Sequence, residues 1–113
     1  MKHSSSWYRK KCVARAKEEA KARAGYTCER CGRSKKQGFA MHGSHILPEG
    51  AYISMSADSD NILCLCYLCH FQWWHKNPLE ASAWFKEKYG SLYTTLRKRA
   101  QKMRVINWKS KYE

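Results

Sequence analysis

Residues 61–75 read NILCLCYLCHFQWWH. The run opens on continuous apolar residues, as a buried strand does, and is expected to turn helical near Tyr67. Cys66 and Cys69 stand at the two-residue spacing of a zinc knuckle. Asn77-Pro78 should interrupt this helix and start the next, because proline is tolerated in a first turn.

Upstream, YTCERCGRS (residues 26–34) repeats the thiol spacing at Cys28 and Cys31, and Gly32 lets the backbone turn. The two pairs are separated by 34 residues. Each can supply two thiolates to one tetrahedral Zn²⁺, whose binding would then be folding energy for so small a centre. A redox motif usually comes alone and beside a parallel α/β pattern, which is absent here. Cys64 complicates the register, but only Cys66 and Cys69 have the knuckle spacing. Cys64 and Cys12 are read as ordinary buried thiols.

Between the pairs, GFAMHGSHIL (residues 38–47) alternates weakly and reads as part of a strand pair ending near His45. Pro48 and Gly50 break it, and residues 49–60 make a mixed loop. On the N-terminal side, Ser4, Ser5 and Ser6 offer caps for a helix starting near Trp7 and ending at Gly25, with a thin apolar stripe of Trp7, Val13, Ala16 and Ala20. On the C-terminal side, Leu79–Tyr89 should be helical with Leu79, Ala83, Trp84, Phe85 and Tyr89 inward. Gly90 ends it. A last helix capped by Ser91 should turn Leu92, Leu96 and Met103 inward. The aromatic residues Trp73, Trp74, Trp84, Phe85, Tyr89 and Tyr93 are read as core rather than as a base-stacking platform. The tail after Val105 carries no clear pattern.

The 113 residues suffice for one small domain, divided into a basic N-terminal helix (1–24), a central unit (25–78) and C-terminal helices (79–113). Met1–Lys11 lacks the apolar core of a signal peptide, and no apolar run is long enough to span a membrane. A cytoplasmic location and no membrane partner are therefore expected. In a reducing compartment the six cysteines favour metal over disulfides.

The net charge of +13 points to a polyanion. Residues 1–24 carry eight Lys/Arg against two Glu, and residues 79–113 carry nine against three. Residues 25–78 carry only five against four acidic residues. Two basic arms thus flank a nearly neutral centre, as expected if Arg9, Lys10, Lys11 and Arg15 on one side and Arg97, Lys98, Arg99 and Lys102 on the other grip a phosphate backbone. Charge alone does not distinguish DNA from RNA, and basic helical faces are often simply solvated.

Three central residues interleave with the thiol pairs. His45 precedes Ile-Leu-Pro, Asn61 follows 16 residues later, and His70 comes nine residues after that. The order His–Asn–His within CxxC…CxxC resembles the HNH endonuclease family. GSHILPE…SDNILCLCYLCH…P is similar more narrowly to the phage-type members with a four-cysteine structural zinc. The resemblance covers roughly Thr27–Pro78. It implies an α+β fold with a ββα-metal (HNH, or His-Me finger) core, and a DNA endonuclease leaving 5′-phosphate and 3′-hydroxyl ends. By the same resemblance His45 would be the general base, Asn61 would orient it, and His70 would ligate a catalytic divalent ion such as Mg²⁺ or Mn²⁺. The location would be the host cytoplasm if the chain is phage-encoded, and double-strand cleavage would need a homodimer or two sequential nicks.

One position departs from the family. Many members carry Asp or His immediately before the general base, as a ligand of the catalytic metal; here it is Ser44. A serine hydroxyl is a poor ligand, so His70, water and substrate phosphate would carry the ion, with Ser44 helping or bridging through water, or with His42 or His75 compensating. His42 lies three residues before His45 and should point away from it on an ideal strand. His75 lies five residues after His70 rather than the four that share an α-helical face. His3 and His42 are therefore read as surface residues, and His75 as packing or a DNA contact. Two other functions fit the same residues: a non-catalytic zinc module that binds nucleic acid, and a structure-specific nuclease for branched recombination intermediates. A structural protein of a ribonucleoprotein would require a strong preference for RNA.

Overall fold

The computed structural model describes residues 2–102 and 105–113. The architecture is small and mixed α+β. Helix α1 (Ser5–Arg23) begins where Ser4 accepts a hydrogen bond from the Trp7 backbone N–H at 3.1 Å. It buries Cys12, Val13, Ala16 and Ala20, of which Cys12, Ala16 and Ala20 form an i,i+4 stripe. Trp7 instead stays half-buried, stacked on His3 with ring centroids 3.5 Å apart.

Strands β1 (Met41–His45) and β2 (Ile62–Cys66) pair antiparallel, with Met41 opposite Cys66 and His45 opposite Ile62. The expected strand end at His45 and the extended start of the 61–75 run are both present. Every residue of β2 is buried, which is why its sequence runs apolar instead of alternating. The loop between the strands contains two short 3₁₀ turns, Ile53–Met55 and Ser59–Asn61. Cross-strand neighbours share a face. Met41, Gly43, His45, Ile62, Cys64 and Cys66 thus form one face, and His42, Ser44, Leu63 and Leu65 the other. Helix α1 crosses the first face so closely at Gly43 that a Cβ there would stand 2.8 Å from Lys17 Cβ and 3.1 Å from Ile62 Cγ2.

After β2 the chain turns helical at Tyr67, but as a π-helix (Leu68–Trp74). Helix α2 (Pro78–Tyr89) follows with proline in its first turn, then α3 (Leu92–Lys102) and α4 (Trp108–Tyr112). The inward face of α2 differs from the expected one. Ala81 and Phe85 are buried, while Leu79 is 89% exposed and Ala83 is also in solvent. Ala81 and Phe85 are one turn apart and meet β2 and Trp73, so tertiary packing sets a phase two residues later than Leu79. Trp84 and Tyr89 are half-buried as packing residues.

On α3, Leu96 is fully buried with Leu47 and Met55. Met103, expected inward, lies outside the described residues. The tail forms more structure than its sequence suggested. Trp108 is buried against α1 beside Cys12, Val13 and Ala16, and the Cys12 thiol donates to the Trp108 carbonyl at 3.7 Å. Among the described residues no helix is long and apolar enough to cross a membrane.

Candidate metal centre and active site

The two thiol pairs converge. The Sγ atoms of Cys28, Cys31, Cys66 and Cys69 all lie within 4.8 Å of one another, and those of Cys31 and Cys66 are 3.6 Å apart. Four sulfurs about 2.3 Å from a tetrahedral ion stand about 3.8 Å from each other, so the cluster is compatible with a structural metal such as zinc.

Local structure explains the convergence. The first knuckle closes through Cys28 N–H to the Arg33 carbonyl at 2.7 Å and Gly32 N–H to the Cys28 carbonyl at 3.0 Å, with Gly32 left-handed at φ 81°. Glu29 then ties the knuckle to β2 and α2. Its Oε2 accepts from Cys64 N–H at 2.6 Å, its Oε1 accepts from the Tyr89 hydroxyl at 2.6 Å, and its own N–H donates to the Cys64 carbonyl at 2.9 Å. Arg30 lies 3.9 Å over the Trp73 ring and 3.6 Å from Cys69 Sγ.

Burial pushes the Cys28 thiol up, and the Cys69 thiol up to about 12. Burial also raises Cys31, but the Arg33 backbone N–H, the neighbouring thiols and the Arg33 guanidinium outweigh it and hold Cys31 down to about 6. Crowded thiols of this kind ionise together only when a cation joins them. Cys64 stays outside the cluster; burial, with Glu29 beside it, lifts its thiol to about 11. Cys64 and Cys66 share a strand face, but only the Cys66 sulfur joins those of Cys28, Cys31 and Cys69.

Asn61 is fully buried at the start of β2. Its Oδ1 accepts from Leu47 N–H at 2.7 Å, and its Nδ2 donates to the carbonyls of Leu47 at 3.2 Å and Met55 at 3.1 Å. Its own carbonyl accepts from Ile46 N–H at 2.8 Å. One side chain therefore closes the whole loop between the strands. The residue after Met55 is Ser56, whose carbonyl lies 2.8 Å from His45 Nε2. A carbonyl only accepts, so Nε2 carries a hydrogen, and in the neutral ring the lone pair lies on Nδ1. Glu49 Oε1 stands 3.9 Å from that Nδ1.

The opposite face of β1 carries the second histidine group. His42 Nδ1 and His70 Nδ1 are 3.0 Å apart. His42 does point away from His45, and this is what aims it at His70. The expectation that His42 is a plain surface residue is corrected: it is half-buried between β1 and the π-helix.

The π-helix also alters His75. Its N–H donates to the His70 carbonyl five residues back, at 3.2 Å, so residues five apart share a face. The two rings stand 4.7 Å apart, although the His75 side chain remains exposed. Burial first, then the charges of His75, His42 and Lys17, push His70 down to about 4. Burial, Lys21 and Lys17 lower His42. Both shifts favour the neutral imidazole, the form that binds metal. Ser44 is 1% exposed, and its hydroxyl has no hydrogen-bond partner among the described residues.

From sequence alone His42 is set aside as a ligand because it points away from His45. The signal available was strand alternation, which puts His42 on the same face as Ser44. No spacing rule would have found the His70–His75 contact, because the π-helix has no sequence signature in this run.

The basic residues are placed unevenly. Lys10, Lys11, Arg97, Lys98 and Lys102 are exposed, and Arg9 is half-buried. Arg15 is exposed but lies 5.0 Å over the Tyr112 ring and donates to the Tyr112 carbonyl at 3.2 Å. Arg99 pairs with Asp58 at 2.6 Å and Asp60 at 3.1 Å, binding α3 to the loop. Its guanidinium is thus held by protein carboxylates rather than presented outward as expected.

Comparison with family models, with curated proteins and with solved structures finds no match to this chain.

Proposed function

We propose that this chain is a metal-dependent DNA endonuclease of HNH type, with a structural zinc at Cys28, Cys31, Cys66 and Cys69 and an active site at His45, Asn61 and His70. The observation that carries the reading is the chain of contacts from Asn61 through the Met55–Ser56 backbone to His45. A buried asparagine that closes a loop, and a loop carbonyl that sets a histidine tautomer, are what a positioned general base requires.

In this reading His45 Nδ1 takes a proton from water as the water oxygen attacks phosphorus. The Glu49 carboxylate stabilises the imidazolium that forms. The P–O3′ bond breaks, leaving a 5′-phosphate, and the leaving oxygen becomes a 3′-hydroxyl on taking a proton from solvent. Asn61 is a positioning residue, since it acts on the loop and not on substrate. His70, which meets His42 on the other face of β1 from His45, would hold a divalent ion, which when bound would stabilise charge on the scissile phosphate and leaving oxygen. Lys10, Lys11, Lys98, Lys102, Arg9 and Arg97 supply the backbone grip, with Arg15 reaching DNA only by leaving Tyr112.

A second reading is favoured by Ser44, which stands where many family members place a metal-binding Asp or His. On it the chain is a zinc-stabilised module that binds nucleic acid without cutting it. A plasmid-nicking assay with added Mg²⁺ or Mn²⁺ separates the two. The zinc-loaded wild type should nick, and zinc-loaded His45→Ala should bind DNA yet cut on the order of 10²–10⁴-fold more slowly, the usual range for a general base. Wild-type protein that binds DNA but fails to cut it with any added divalent ion establishes the module instead.

A further inference from the structure

The 3.0 Å separation of His42 Nδ1 and His70 Nδ1 admits two explanations. One is a hydrogen bond between two rings. The other is a pair of ligands converging on one ion. Two nitrogens each about 2.1 Å from a metal and at 90–110° to each other stand about 3.0–3.4 Å apart. The observed distance falls in that range.

A second observation favours the ion. Ser44 lies two residues along β1 from His42, so it projects from the same strand face. Its hydroxyl is buried, yet it has no partner among the described residues. A buried hydroxyl left unpaired carries a desolvation penalty, which a bound ion's water would relieve. The elements also suit a fixed site. His42 stands on β1 opposite Leu65 of β2, and His70 lies in the π-helix that packs on β2. The Tyr67 and Phe71 rings flank His42, with centroids 6.2 and 5.3 Å away. Inserted π turns occur often at functional sites because they re-aim side chains. Here the π turn brings His75 over His70 as well.

We infer that His42 and His70 together form a binding site for a divalent transition ion, with His42 supplying the protein ligand that Ser44 cannot. The Ser44 hydroxyl orients a water on that ion. Two imidazoles select borderline ions such as Co²⁺, Ni²⁺ or Zn²⁺, and to a smaller degree Mn²⁺, over Mg²⁺, which prefers oxygen ligands. The inference deepens the nuclease reading and rests on it for the ion's chemical use, but not for its binding.

The test is a Mn²⁺ titration of the full zinc-loaded chain, read from loss of the free Mn²⁺ electron paramagnetic resonance signal. Mn²⁺ is a weak competitor for thiolates, so the four-cysteine site should not interfere. Wild type should bind one Mn²⁺ per chain, and a tenfold excess of Mg²⁺ should not displace it. His42→Ala and His70→Ala should each weaken binding at least tenfold. His42→Phe keeps a ring between Tyr67 and Phe71 and should lose the ion equally, which separates lost ligation from lost packing. Ser44→Ala should cost less than threefold.

Unchanged Mn²⁺ affinity in folded His42→Phe overturns the inference, as does a loss in Ser44→Ala equal to that in His42→Ala. The two readings fail separately. Mn²⁺ bound through His42 in a wild type that never cuts DNA removes the nuclease and keeps the site. Cleavage with His42 irrelevant to Mn²⁺ does the reverse.

Discussion

The four thiols and the paired imidazoles meet at the same two strands and the same helix start, yet they are assembled by different means. Cys69 and His70 are neighbours in sequence, and Cys66 and His42 project from opposite faces of the sheet. The thiols come in two tight turns whose spacing alone brings each pair together. What tertiary structure adds is the docking of one turn on the other, done by Glu29 through Cys64 and Tyr89. The imidazoles have no such local unit. They meet only if β1 pairs in the right register and the helix after β2 takes a π turn. A one-residue slip of β1 would move His42 to the other face. The thiol cluster should therefore hold the fold, and the histidine side should depend on it.

The largest expected effect follows directly. Structural zinc sites contribute about 10–16 kcal/mol of apparent binding energy, comparable to or larger than the total stability of a small domain. Removing the metal with a strong chelator should abolish the cooperative thermal transition seen by circular dichroism. Cys28→Ser should do the same without chelator. A melting curve indifferent to both would mean that the cluster is four buried thiols and nothing more.

Asn61 carries the second-largest effect, and it acts on the other region. Asn61→Ala leaves the Leu47 N–H, the Leu47 carbonyl and the Met55 carbonyl without their partner. Unpaired buried groups cost about 1–3 kcal/mol each, with partial relief from water, so a loss of about 3 kcal/mol is expected in urea unfolding. Zinc content should stay at one per chain, while any cleavage falls with the loop that holds Ser56. Loss of zinc along with the loop would show that the two regions fold as one unit, which breaks the comparison.

Much of this contrast was legible beforehand because much of it is local. The caps of α1, the knuckle spacing, the switch to helix at Tyr67 and the proline start of α2 each depend on a few adjacent residues. What was misread depends on distant ones. Leu79 was expected inward, but the phase of α2 is set by how Ala81 and Phe85 meet β2 and Trp73. Arg99 was expected to face a partner, but Asp58 and Asp60 lie within its reach. His75 was set aside on α-helical geometry, and the helix is a π-helix. Trp108 offered a large apolar side chain in a basic tail, but no spacing showed that it packs on α1.

Gly43 tests the register on which the histidine side depends. Gly43→Ala places a methyl against the Lys17 stem and Ile62. The Lys17 Cβ belongs to the helix and cannot swing aside, so α1 must shift. Overpacking of this kind costs about 1–3 kcal/mol. The second-site Mn²⁺ affinity should fall further than the zinc affinity, since β1 carries His42 but none of the four thiols. Equal losses at both sites would place the register of β1 under the control of the thiol cluster.

The smallest effect should come from Cys64, which shares its buried strand face with Cys66. If spacing selects the ligands, Cys64→Ala removes one sulfur from the core and nothing from the metal site. The backbone groups that bind Glu29 remain, because they are the Cys64 N–H and carbonyl rather than its thiol. Removing one heavy atom from a packed site costs about 1 kcal/mol, near the low end of large-to-small core changes. Metal stoichiometry should be unchanged when measured by zinc release against a colorimetric chelator. A chain that loses its zinc on Cys64→Ala but keeps it on Cys66→Ala would exchange the roles of the two cysteines. It would also mean that β2 is held one pair out of the register in which Cys66 lies opposite Met41.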